Sequence, residues 1–391
     1  MPSVTRARAS RIAKATGPRH FSDRGIARTG TGPIVPLGGA AKVDRIARMA
    51  RVDRSQPMPV KHWSFAGLLL TYRCNAACAS CYLACGPDRA GEMTVESALA
   101  AWEGLVRASP HGCRVHLSGG EPFLNWPLLI ETCRAARRAG LAPLEKVETN
   151  AFWADSPGIV RDCVRQLDEA GMRTLTISAD PYHQEFVPLE RPRRAATVAR
   201  EVLGPKRVQV RWEDWLVGGC DTGGLDEARR DELFLQYARQ GRDRLTGRAA
   251  ERLAPFLPGR PPSAWAGSPC RQSLLRSRHV HVDPGGLVMP GTCAGIVLGR
   301  LGPRSAGEVW QALSEDHASR PIVGRLASGG PAALLDEAAS AGMVLRQGYA
   351  GKCHLCWDVR QFFVSRGRHA EELGPTWMYQ AEGNGPLSHP S

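Results

Sequence analysis

Phe65-Ala66-Gly67-Leu68-Leu69-Leu70-Thr71-Tyr72 runs, across Arg73, into Cys74-Asn75-Ala76-Ala77-Cys78-Ala79-Ser80-Cys81. The first stretch is an apolar run of strand length, and the second sets three cysteines at C-x3-C-x2-C spacing in the loop that leaves it. Three thiolates in one loop can converge on a single inorganic cluster. On a [4Fe–4S] cube they leave one iron open to a ligand from outside the protein, whereas a fourth cysteine would close it. The bland alternative is a zinc knuckle, which wants a fourth Cys or His nearby, and Cys85 could supply one.

Downstream of that loop the pattern alternates. Helical periodicity over 95–106 gives way to a strand at 114–117 and a Gly-rich turn, then to a helix over 127–139 that Gly140 closes. Strands are predicted at 144–148, 174–177 and 208–212, with helices at 159–170, 192–203 and 225–239. Strand–helix units in strict order imply parallel strands and right-handed crossovers, partly closed into a (β/α) barrel or open as a doubly wound sheet. In either form the chemistry sits in the loops that follow the C-terminal ends of the strands. Past a Pro-rich linker at 255–262, His279–Val282 and Leu287–Met289 flank the turn sequence Asp283-Pro284-Gly285-Gly286, which predicts a hairpin. Helical stretches at 306–313 and 332–341 follow, then Cys353-His354-Leu355-Cys356.

With 391 residues, 43% hydrophobic and 23% charged, the chain has the balance of a globular protein. Its apolar runs fall far short of a membrane span, and its charged start lacks the apolar core of a signal peptide, so the expected location is the cytoplasm. Twelve cysteines there argue for thiolate chemistry or metal ligation over a disulfide framework. The net charge of +13 suggests a nucleic-acid binder until it is located. Residues 1–61 carry thirteen Lys and Arg against three Asp, which leaves only +3 for the rest. The basicity belongs to a tail with little apolar periodicity, expected to be mostly disordered: either an arm for nucleic acid or an acidic partner or, more simply, a dispensable extension.

The cysteine loop resembles the signature of the radical S-adenosylmethionine (SAM) enzymes. The resemblance implies an α/β fold, a partial (β/α)6-type TIM barrel over 62–255. In it Cys74, Cys78 and Cys81 bind a [4Fe–4S] cluster, and the amino and carboxyl groups of SAM chelate the open iron. Reductive cleavage of SAM then yields methionine and a 5′-deoxyadenosyl radical that abstracts hydrogen from substrate, with no catalytic side chain assigned beyond the cluster. Ser80 stands before the last cysteine, where the superfamily often has an aromatic, and Tyr82 follows it instead. Ser118-Gly119-Gly120-Glu121-Pro122 looks like the GGEP element of these enzymes. Gly119 and Gly120 would let backbone approach the ligand, Glu121 would accept hydrogen bonds from an ammonium group, and Pro122 completes the motif. Asn150 ends the third strand and Ser178-Ala179-Asp180 the fourth, where similar proteins keep residues facing SAM; the plain alternative for each is a strand-end cap. Tyr182, His183 and Cys85 share that rim and are candidates to face substrate.

Cys270, Cys293, Cys353 and Cys356 form a second group, and four thiolates can saturate a second [4Fe–4S] cube. The arrangement resembles the SPASM/twitch extensions of many radical SAM enzymes. It fits a single auxiliary cluster of the twitch kind, because no cysteine follows Cys356. A structural zinc on the same thiolates is the competing reading. The resemblance implies a small C-terminal α+β iron–sulfur module over 256–368, and a flexible tail is expected at 369–391. Cys113, Cys133 and Cys163 read as buried small side chains, and Cys220 as a further rim thiol. The implied partners are a peptide or small-molecule substrate and an electron donor of flavodoxin or ferredoxin type, with no membrane and no nucleic acid. The rival function, a zinc-stabilised nucleic-acid-binding protein, leaves residues 119–122 without a use and wants a basic folded region.

Overall fold

Every residue from Ala66 to Thr71 is buried, which a strand achieves only with neighbours on both edges and cover on both faces. The computed structural model of the chain, which describes residues 59–141 and 143–380, supplies both. This strand, β1 (Phe65–Thr71), lies inside an eight-stranded open sheet. On one side β2 (Arg114–Gly119), β3 (Leu144–Thr149), β4 (Met172–Ile177) and β5 (Val208–Val210) follow in sequence order, every pair parallel. The crossovers are α1 (Val95–Ala108), α2 (Trp126–Arg138), α3 (Pro157–Glu169) and α4 (Glu190–Leu203). Their starts are set locally. Thr94 and Ser97 form a capping box, Asn125 accepts the Leu128 N–H, and Ser156 accepts that of Ile159 ahead of Pro157. The result is the expected mixed α/β fold on a parallel-rich sheet that does not close.

The elements that follow α4 differ from the pattern read in the sequence. β5 stops at Val210: Arg211 gives the last ladder N–H, to Ile177 O, and Trp212 leads into the short helix α5 (Glu213–Gly218). The next helix, α6 (Glu227–Ala238), starts two residues late, at the side-chain cap of Asp226.

The C-terminal half joins the same sheet. After α7 (Arg248–Arg252) and α8 (Arg271–Leu274), the expected hairpin forms from β6 (His279–Val282) and β7 (Leu287–Pro290), with β8 (Gly299–Arg300) beyond it. β6 pairs parallel with β1 and thereby extends the barrel sheet, where a separate module was expected. The reason is the edge of β1, whose apolar residues and unpaired backbone groups would otherwise meet water. Helices α9 (Ala306–Asp316), α10 (Val323–Gly329), α11 (Leu335–Ser340) and α12 (Lys352–Ser365) complete the fold. Among the described residues, no helix is long and apolar enough to cross a membrane.

The chain ends require a correction. Residues 369–380, expected within a flexible tail, are seated, with Leu373, Met378 and Tyr379 buried. Their anchor is Arg360 on α12, a guanidinium only 1% exposed that must find acceptors. It donates to Ala294 O at 2.9 Å and to the Tyr379 hydroxyl at 2.6 Å, and that hydroxyl donates to Gly295 O at 2.6 Å. The Tyr379 ring stacks on Trp357 at 4.6 Å. At the other end Val60 is buried and Lys61 donates its N–H to Leu275 O, so the expected tail ends before them; its residues 1–58, like 381–391, lie outside the described residues. Removing residues 371–391 should therefore cost at least ~3 kcal/mol, since three apolar side chains lose their burial and Arg360 a partner. A chain ending at Gln380 should match the full one. Equal melting temperatures for all three chains would show that the segment contributes nothing.

Candidate functional site

The C-terminal ends of the five parallel strands surround a cavity of about 130 Å³. Cys74, Cys78, Cys81 and Cys85 line it from the loop after β1. That loop is tied back on itself: Cys74 N–H donates to Gly86 O, Cys81 N–H to Cys78 O, and Cys85 N–H to Cys81 Sγ at 3.3 Å. It is also clamped from outside by a residue the sequence analysis missed. Arg248, at the start of α7, donates its backbone N–H to Cys81 O and its guanidinium to Cys78 O at 3.0 Å and Cys85 O at 2.8 Å. Gly247 makes this approach possible: its φ is +58°, and a Cβ there would stand 2.5 Å from Tyr82 O. Between Cys81 and Cys85 the proton stays on Cys85. The hydrogen bond from the Cys85 thiol and the charge of Arg248 hold Cys81 low against its burial, and the same bond, with burial, pushes Cys85 up.

Gly119, Gly120 and Glu121 follow β2 and line the cavity, while Pro122 is buried behind it at the first position of a 3-10 turn. The close approach that the glycines allow is to protein backbone. A Cβ on Gly119 would stand 2.4 Å from Thr71 O, and one on Gly120 2.0 Å from Arg73 O. The carboxylate of Glu121, 1% exposed, accepts from Thr149 Oγ1 at 2.8 Å and Phe123 N–H at 3.1 Å on Oε1, and from Asn150 N–H at 2.7 Å on Oε2. Two carboxylate oxygens offer about four acceptor positions, so one remains, on Oε2. Burial pushes Glu121 up to about 7 in spite of these donors. Asn150 turns its amide to the cysteine loop, donating to Asn75 Oδ1 at 2.8 Å with Cys74 Sγ at 3.8 Å.

After β4, Ser178 and His183 line the cavity, but Asp180 and Tyr182 do not. Asp180 is fully buried, accepting from the N–H groups of Tyr182 and His183 and from His183 Nδ1 at 2.8 Å, with Arg211 Nε 3.6 Å away. Its expected contact with ligand is thus replaced by the positioning of His183 and Arg211, both at the cavity wall. Tyr182, expected to face substrate, is also fully buried and donates its hydroxyl to Asp243 at 3.0 Å. Burial alone would raise Asp180, yet His183 and Arg211 hold it down to about 2. Burial would likewise lower His183, yet the Asp180 carboxylate and the Cys78 thiol raise it well above its ordinary value. Below the cavity floor His116, His279 and His281 gather; burial holds His116 down to about 4 and His279 to about 3, so these rings are uncharged at neutral pH.

Residues 68–204, which contain the cysteine loop, the Gly119–Pro122 element and the rim of β4, match the profile of the Radical SAM superfamily. These residues form a radical SAM domain. The chain is therefore an enzyme, and its cofactors are a [4Fe–4S] cluster and SAM. No curated relative matches the chain. Solved structures similar to it include BtrN in complex with AdoMet and 2-DOIA, 16% identical over 67% of this chain and 91% of that one, with a TM-score of 0.37. Also similar are anSMEcpe with AdoMet and the Cp18Cys peptide (13%, 77% and 97%, TM-score 0.39) and SuiB of Streptococcus suis bound to S-adenosylmethionine (13%, 77% and 81%, TM-score 0.38).

The remaining thiols of this radical SAM enzyme divide in two. Cys270, Cys293, Cys353 and Cys356 line one small apolar cavity together with Lys352 and Arg360. Cys270 precedes α8, Cys293 follows β7, and the first two turns of α12 carry the other two, so the tertiary fold gathers four thiols from three segments. Burial and the neighbouring sulfurs push Cys270 up to about 11 and Cys293 to about 12. Cys113 and Cys133 are buried, Cys163 is half-buried, and Cys220 is exposed away from the cavity it was expected to reach.

Replacing Asp180 by Asn should cost about 3 kcal/mol or more, because it leaves a buried imidazolium and Arg211 without their shared anion. The sign of the pH dependence follows. Asp180, depressed, stabilises the fold above its ordinary value near ~3.9 and loses that contribution as pH falls towards 2; His183, raised, contributes below ~6.5 and loses it only as pH rises through its higher value. Urea unfolding should thus separate wild type from Asp180→Asn most widely between about pH 4 and 6.5. A gap that does not narrow below that window would rule out this account.

Proposed function

We propose that Cys74, Cys78 and Cys81 hold the SAM-binding [4Fe–4S] cluster, with one iron left for SAM, and that the cavity above the sheet is where SAM and substrate meet. The observation that carries this reading is the convergence on one cavity of three loop thiols, a buried carboxylate with one free acceptor position, and polar residues from the next two strand ends. When bound, the cluster supplies one electron that cleaves SAM, and the 5′-deoxyadenosyl radical takes hydrogen from substrate. The chain's own residues bind and orient. Glu121 Oε2 accepts from the ammonium of SAM. Asn150 fixes Cys74 and its loop through Asn75, and Arg248 holds the carbonyls of Cys78 and Cys85 while its charge offsets that of the thiolates. His183, kept protonated by Asp180, offers a cation at the wall to the carboxylate of SAM or to an anionic substrate.

The same reading gives Cys270, Cys293, Cys353 and Cys356 an auxiliary [4Fe–4S] cluster, whose negative charge Lys352 and Arg360 would balance. The substrate is a peptide or a small molecule, and the electron comes from a flavodoxin- or ferredoxin-type donor. The location that fits is the cytoplasm, where thiolates stay reduced. Anaerobically reconstituted protein should be brown, carry about eight irons per chain and release 5′-deoxyadenosine from SAM under a strong reductant. About four irons with one zinc would assign the second site to zinc instead. Cys78→Ala should lose 5′-deoxyadenosine formation altogether; a variant of wild-type activity would sink the ligand assignment.

A further inference from the structure

Gly67 on β1 is paired on one side with His116 of β2 and on the other with His281 of β6. A Cβ at Gly67 would stand 2.5 Å from His116 Nε2 and 2.4 Å from His281 Cδ2, so the missing side chain is what admits the two imidazoles. His279, two residues earlier on β6, turns its Nε2 to within 3.1 Å of His116 Nε2. Ligand atoms of the three rings lie within 4.8 Å of one another, with His116 and His281 only 2% and 3% exposed. Imidazole bonds of about 2.0 to 2.1 Å at a tetrahedral ion hold two nitrogens roughly 3.3 Å apart, close to the 3.1 Å between His116 and His279. The far side of His116 fits as well. Its Nδ1 is buried without a hydrogen-bond partner, and Glu148 Oε1 stands 3.7 Å from it. A carboxylate behind a ligating histidine fixes the tautomer that leaves Nε2 free for a metal. Glu148 is itself held by Ser118 Oγ at 2.7 Å and by Lys146.

We propose that His116, His279 and His281 form a trihistidine site for a divalent transition ion of the zinc class, distinct from both cysteine groups, with Glu148 as the positioning residue behind His116. Three imidazoles suit such an ion and leave its fourth position to water. In the ion-free form the Nε2 atoms of His116 and His279 share one proton. On binding, the ring that carries this proton moves it to its own Nδ1, which on His116 faces Glu148, so no net proton need be released. The site braces β2 one turn of the pleat below Ser118 and the cavity. The inference does not depend on what the cysteines hold, because its readout separates nitrogen from sulfur ligands. Holoenzyme with its iron sites filled should retain about one zinc per chain after one equivalent is added and loose ion is removed. X-ray absorption at the zinc edge should then show an imidazole shell at about 2.0 Å. No retained zinc, or a sulfur shell at about 2.3 Å, overturns the proposal. His279→Gln should keep its iron and lose zinc affinity at least tenfold, and unchanged zinc retention in that variant would equally overturn it. If that variant does not fold, the absorption spectrum of the unaltered enzyme decides.

Discussion

The backbone after β2 lies against the backbone leaving β1 with no room for a side chain between them, and the site depends on that contact. Gly120 donates its N–H to Thr71 O at 2.7 Å, and Glu121 donates to Arg73 O at 2.9 Å. These two bonds fix the cysteine loop, which begins at Cys74, relative to the carboxylate of Glu121. The pairing of β1 with β2 shifts register between Leu69 and Thr71, just where the strands must part to make room. From there the constraint propagates: Glu121 takes the N–H of Asn150 and the hydroxyl of Thr149, and Asn150 reaches back to Asn75. A closed circuit of hydrogen bonds through the ends of three strands thus holds the cavity in shape before any ligand enters.

Charge is arranged around this circuit in a consistent way. Arg211 stands at the wall of the larger cavity, Arg248 beneath its cysteine loop, and Arg360 beside the second cysteine group. Each is tied down by protein acceptors: Asp243 for Arg211, loop carbonyls for Arg248, and Ala294 O with Tyr379 for Arg360. A buried cation is costly unless paired, and clustered thiolates are costly for the same reason with the opposite sign. Placing the two near each other lowers both costs. It also explains why the segment at 369–380 is ordered by Tyr379, a residue far from any recognisable motif.

The alternation of strands and helices, and most of the residues that line the main cavity, were legible in the sequence. Apolar periodicity, helix caps such as Thr94 and Ser156, and turn glycines act over a few residues, so their meaning survives without the fold. The C-x3-C-x2-C loop and Gly119–Pro122 are of this kind. The inward turn of Asp180 and Tyr182 was not legible, because spacing places a residue at a rim without saying which way its side chain turns. Asp180 faces inward, where two cations, His183 and Arg211, meet it.

By itself the sequence determined the fold class, the C-x3-C-x2-C loop and the side of the sheet on which chemistry occurs, since each is written in short-range spacing. Only the tertiary structure decided that β6 docks on β1, that Arg248 clamps the cysteine loop, that Arg360 recruits Tyr379, and that three histidines meet over Gly67. Those contacts join residues distant in the chain through buried polar groups that must find partners, and no local pattern states which partner each one finds.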